Sequence, residues 1–174
     1  MLNLNDVINA TALILGILLL FFVSYFAIEV VYEPNLKQDI QYIRELPSDE
    51  LKAKEIANFV NQKTPWEMGI FSDKFPWLFF NKTPVITYYI EGGSCGLQAQ
   101  LYQYIAEKTG LKSRLISNSS EDHAWVEVYI EGKWIPVDPF QKYYDDPQVY
   151  ERNWKKNISK VYAFEDGEIG RAHV

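Results

Sequence analysis

The sequence predicts an α+β domain carried behind one long apolar helix. Three observations lead there. Val7 to Ile28 runs 22 residues without a charge and is dense in Leu, Ile and Phe. Downstream, apolar residues recur at helical spacing over 36–46, 50–62 and 97–109. Between and after those stretches, 123–130 and 134–138 alternate as strands do. The boundaries expected from these patterns are a tail at 1–6, a transmembrane helix at 7–31, a linker or stalk helix at 32–47 and a folded domain at 48–174.

The apolar run comes first. At 1.5 Å per residue, 22 residues reach about 33 Å, enough for a bilayer core of about 30 Å. A cleaved signal peptide would need a basic leading region and small residues before the cut. Residues 1–6 hold no Lys or Arg, and Tyr25 stands three residues before any cut after Ala27. An uncleaved single-pass anchor is therefore expected, with the lipid bilayer as a partner through residues 7–31. Lys37 and Arg44 after the span would keep the domain cytoplasmic, but a large domain translocates despite so small a bias.

Charge narrows the partners. The net charge is −6, and three of the 23 acidic residues, Asp6, Glu29 and Glu33, precede residue 35 while no basic one does. The remainder is near neutral without a basic stripe, which excludes a nucleic-acid binder. A single cysteine excludes an internal disulfide framework and a multi-cysteine zinc cluster.

Pro34-Asn35 is expected to end the anchor region. Leu36, Ile40, Ile43 and Leu46 then give one amphipathic helix, closed by Pro47. Ser48 reads as an N-cap with Asp49 and Glu50 in the first turn. Leu51, Ile56, Phe59 and Val60 form that second helix's apolar face. Residues 64–84 are aromatic and hold three prolines, so they read as a long loop buried against the domain, with walling a cleft or dipping into a membrane interface as the alternatives. Val85 to Ile90 reads as a strand. The helix after it buries Leu101, Ile105 and Tyr102 and stops at Gly110. Leu111–Ser117 reads as a strand, 118–122 as a polar turn, and 123–130 with 134–138 as a hairpin turning at Glu131-Gly132-Lys133. A helix-like stretch at 149–156 and a final hairpin over 161–173 follow.

The chemistry gathers around Gly92-Gly93-Ser94-Cys95-Gly96. Ser94 as N-cap places Cys95 in a first helical turn, where unpaired N–H groups and the helix dipole favour a thiolate. A lone Cys is more often a small buried hydrophobe. A cysteine nucleophile needs a base, and the base a third group to orient it. His173 stands beside the last residue, whereas His123 opens a strand after a polar loop. Asp138 ends the next strand. Cys95, His123 and Asp138 thus make a candidate triad. One tension accompanies it: a turn centred on Gly132 pairs Asp138 with residue 126 or 127, three or four residues short of His123. A bulge or bend would have to close that gap. As metal ligands the same three residues form no recognisable set, so no cofactor is expected.

Gly93-Ser-Cys-Gly96, His123-Ala-Trp-Val-Glu-Val128 and Gly132-Lys-Trp-Ile-Pro-Val-Asp-Pro139 resemble the transglutaminase-like superfamily of papain-type folds, over about residues 48–140. The resemblance implies Cys95 as nucleophile, His123 as base and Asp138 as its orienter. It further implies a Cys-bearing helix packed on a short antiparallel sheet, a bend that closes the register gap, and an extracytoplasmic domain. Gly96-Leu97-Gln98 departs from the acidic or aromatic residue that often follows the family's cysteine.

Two functions stand against each other. One is a membrane-anchored cysteine enzyme cleaving amide or peptide bonds of a protein or peptide substrate through a thioester. Hydrolysis is favoured over cross-linking because no amine site is identifiable. Its oxyanion would be held by the Cys95 N–H and one upstream donor, with Trp66, Trp77 and Asn81 as candidates. The other is a catalytically silent scaffold serving as a membrane-tethered binding module.

Overall fold

The computed structural model describes residues 3–65, 84–89, 93–118, 123–145, 161–165 and 168–171. Helices α1 (Leu4–Arg44), α2 (Asp49–Lys63), α3 (Pro84–Tyr89) and α4 (Cys95–Lys108) precede a sheet of six strands. These are β1 (Ser113–Asn118), β2 (His123–Ile130), β3 (Lys133–Asp138), β4 (Tyr143–Tyr144), β5 (Val161–Glu165) and β6 (Glu168–Arg171). The strand order is β4-β3-β2-β1-β5-β6, antiparallel throughout. The α+β expectation and the Cys helix packed on an antiparallel sheet are met. The 149–156 stretch, most of the 64–84 loop, residues 119–122 and His173 lie outside the described residues.

Three local expectations are overturned. Pro34 does not end a helix; α1 passes through it. An interior Pro costs about 3 kcal/mol. Its ring is exposed here, and just beyond it Leu36, Ile40 and Ile43 are almost wholly buried. Burying three such side chains is worth about 2 kcal/mol each, which exceeds the loss. The end of α1 is thus part of the core rather than a free stalk.

The second is Val85–Ile90, read as a strand and found as the short helix α3 over Pro84–Tyr89. Pro84 opens it at the position where proline's fixed φ suits a helix. Val85 and Tyr88, three residues apart, are both buried in the core, and the Tyr88 hydroxyl donates to Asp39 Oδ2 of α1 at 2.9 Å. The helical penalty of a β-branched residue is only about half a kcal/mol, so packing against α1 decides the conformation. Leu51, expected on the apolar face of α2, is exposed; that face is Ala53, Ile56 and Val60.

The core lies between the helices and one face of the sheet, with Val126, Val128, Ile130 and Val137 meeting Leu101, Tyr102, Ile105 and Ala106 of α4. Ser48 caps α2 by accepting from the Leu51 N–H. At the far end of α4, Gly110 takes φ +87°, and the Leu111 N–H reaches the Ala106 carbonyl, a Schellman closure. The Arg44 guanidinium also donates to the Lys108 carbonyl, tying the end of α1 to the end of α4.

Candidate active site

Cys95 is the first residue of α4, and Ser94 holds the N-cap position in extended conformation. Ser94 makes no side-chain cap, so the expected capping bond is absent. The thiolate takes up a first-turn donor instead, the Gly96 N–H, together with the Ala124 N–H of β2 and the side chain of His123. The chain enters this turn through Gly93, where a Cβ would lie 3.0 Å from the Leu97 Cβ and 3.5 Å from the Thr87 Cγ2. Glycine there allows α3 and α4 to close on each other.

β2 and β3 supply the partners. Glu131 and Gly132 both take positive φ, the two-residue turn that matches strand twist, and Ile130 pairs with Lys133. Val126 then pairs with Val137, so the same register sets Asp138 opposite Trp125. The gap to His123 is two residues, not the three or four expected, and both side chains lie on the same face. Diagonal neighbours of this kind are within reach of long side chains. Nε2 of His123 lies 2.7 Å from Asp138 Oδ2. The expected bend is not needed: the correction comes from counting the turn as two residues.

Asp138 is fully buried, and its other oxygen accepts the Phe140 and Gln141 N–H groups at 3.0 and 3.1 Å. The carboxylate is thus fixed by its own turn. Asn61 of α2 holds that turn from outside, donating to the Pro139 carbonyl at 2.7 Å. The imidazole lies between Trp125 and Phe140, each with its ring centroid 6.1 Å away. With Nε2 on Asp138, Nδ1 is the nitrogen that faces Cys95.

The electrostatics follow from these contacts. Burial would raise the Cys95 pKa. The hydrogen bond and charge of His123 and the Ala124 and Gly96 N–H groups outweigh it, and the thiol is lowered from its ordinary value. Burial would lower the His123 pKa, but Asp138 and Cys95 outweigh that and raise it to about 9. Both shifts favour the thiolate–imidazolium form of the pair over the neutral one.

The three residues predicted from sequence come together in one hydrogen-bonded chain. Trp66, Trp77 and Asn81, the candidates for a second oxyanion donor, lie outside the described residues. Sequence reasoning missed Trp125, Phe140, Asn61 and the Ala124 N–H. Trp125 was legible in principle, two residues from His123 on an alternating strand.

The model of the transglutaminase-like superfamily matches residues 37–139. The chain belongs to that superfamily. Within it, the chain is similar to enzymes named peptide-N(4)-(N-acetyl-beta-glucosaminyl)asparagine amidase. It is 37% identical to that of Eremothecium gossypii over 79 residues, which is 44% of this chain and 22% of the relative. It is 38% identical to that of Caenorhabditis briggsae over 74 residues, covering 41% and 12%. For Arabidopsis thaliana the figures are 37% over 73 residues, 41% and 10%. The chain spans about a fifth or less of these relatives' length. The superfamily match begins inside α1, in keeping with the buried Leu36, Ile40 and Ile43.

Proposed function

We propose that the protein is a membrane-anchored cysteine amidase that hydrolyses a carboxamide or peptide bond. The observation that carries this is the chain Cys95–His123–Asp138, with a lowered thiol and a raised imidazole. Cys95 Sγ attacks the carbonyl carbon. The oxyanion is held at the first turn of α4 by the Cys95 N–H. The imidazolium Nδ1–H gives its proton to the departing amine, the C–N bond breaks, and a thioester remains. The now neutral imidazole takes a proton from water. The hydroxide adds to the thioester carbonyl, and the acid leaves as the thiolate re-forms. Asp138 keeps Nε2 protonated throughout, and its bonds to the Phe140 and Gln141 N–H groups fix its direction.

Similarity to amidases whose name specifies a glycosylated asparagine supports hydrolysis over transfer, and makes a side-chain amide the first substrate to try. The membrane part rests on α1, which carries the only stretch among the described residues long and apolar enough to cross a bilayer; that stretch is not buried against the domain. The test uses the full chain in detergent with peptides carrying a glycosylated asparagine, a free asparagine or a backbone amide. The expected result is acid and amine products from one class, absent with Cys95→Ala. Product formation undiminished in Cys95→Ala would overturn the reading.

A further inference from the structure

Helix α1 joins the apolar run to the domain without a flexible link. Continuing past Pro34, it buries Leu36, Ile40 and Ile43 in the core. The domain's position relative to the run is therefore set by one helix. Tyr32 lies about 6 Å beyond Ile28, the last residue of the uncharged stretch, at 1.5 Å per residue. Headgroup layers extend some 5–8 Å on each side of the hydrocarbon core, so Tyr32 falls within one. The Glu33–Lys37 ion pair follows directly, marking the polar boundary.

A second part of the chain reaches the same level. The Tyr89 ring, at the end of α3, lies 4.3 Å from the Tyr32 ring, centroid to centroid, and is 38% exposed. About two helical turns further along α1, the Tyr88 hydroxyl donates to Asp39. α3 is thus laid along α1 with Tyr89 toward the apolar run. Paired tyrosines with an apolar body and a polar tip are what the headgroup region favours.

We propose that the domain rests on the bilayer through Tyr32 and Tyr89, and that Cys95 is thereby held close to the headgroups. Cys95 follows Tyr89 by six residues, so at most about 21 Å separates them at full extension. The opposite end of α4 is fixed at Arg44, twelve residues beyond Tyr32 on α1. An active cysteine within that reach of the headgroups meets amides displayed at the membrane surface. The substrate class is then the juxtamembrane segment of a membrane-anchored polypeptide. This inference rests on the membrane reading above.

The test reconstitutes the full chain in phosphatidylcholine vesicles. In a Cys95→Ser background, spin labels are placed at Leu18→Cys, Tyr89→Cys and Tyr129→Cys, the last an exposed site on β2. The Leu18 label should be shielded from an aqueous relaxation agent and open to oxygen. The Tyr89 label should be several-fold less accessible to the aqueous agent than the Tyr129 label. In the unaltered chain, Cys95 should react with iodoacetamide attached to phosphatidylethanolamine by a spacer of about 20 Å. An aqueous Leu18 label would overturn the membrane reading itself. A shielded Leu18 label with Tyr89 as accessible as Tyr129 would overturn only the docking. So would Cys95 reacting with soluble iodoacetamide but not with the lipid-linked form.

Discussion

Two acid–base pairs lie on one face of the same sheet and serve different ends. Arg114 of β1 and Glu127 of β2 are directly opposite in register, and the guanidinium binds the carboxylate with both side chains more than nine-tenths buried. The Trp134 ring covers the guanidinium at 4.1 Å. His123 and Asp138 are nearly as buried, but they pair diagonally at the end of the strand, where His123 also meets Cys95. An arginine does not titrate in the range a protein experiences. A histidine raised to about 9 and joined to a thiol does. Burial alone therefore does not separate the two pairs; position at a strand end and contact with a thiol do.

The sharpest way to break that contrast is to remove one member of each pair. His123→Ala should lower turnover by about 10²- to 10⁴-fold, the usual contribution of a general acid–base. The cooperative unfolding transition should survive. Steady-state kinetics beside thermal melts would check both. Glu127→Ala should do the reverse. It strands a buried guanidinium, which costs about 3–5 kcal/mol of stability, while activity per folded molecule holds. Denaturant titration, with activity normalised to the folded fraction, measures this.

A finer separation comes from pH. His123 is raised above its ordinary value of about 6.5. Its contribution to stability is complete below that value and is lost as pH climbs to about 9. The destabilisation caused by His123→Ala should therefore shrink between pH 6.5 and 9. That caused by Glu127→Gln should stay flat across the same window. Parallel unfolding curves at pH 6 and pH 9.5 suffice. The smallest expected effect is at Asn61→Ala. Losing one bond to the Pro139 carbonyl should cost about 1 kcal/mol and a few-fold in turnover, because the Asp138 turn is loosened rather than removed.

The sequence disclosed the Cys95, His123 and Asp138 cluster better than the scaffold around it. Cys95, His123 and Asp138 each sit where a local signal is strong: glycines before a helix start, a polar loop before a strand, a Pro after one. A two-residue turn at Glu131-Gly132 then sets the register by itself and brings Asp138 within two residues of His123. Residues decided by distant partners were not legible. Val85, Thr87 and their tyrosines carry strand propensity, yet contact with α1 made them helical. Pro34 reads as a stop, yet the core beneath Leu36 and Ile40 carries the helix past it. Asn61 and Phe140 reach the site only through the folded turn after β3, and no spacing announces them.

The central claim is that His123 and the first turn of α4 activate Cys95. It is tested most directly by the pH dependence of iodoacetamide alkylation, because the chain has one cysteine and the label reports nothing else. The native protein should react well below pH 8, faster than the unfolded chain at pH 6–7, and His123→Ala should move the profile back toward an ordinary thiol, near pH 8.5. Slow alkylation at every pH, accelerated by denaturant and unchanged by His123→Ala, would contradict the claim and leave Cys95 a structural residue of a silent scaffold.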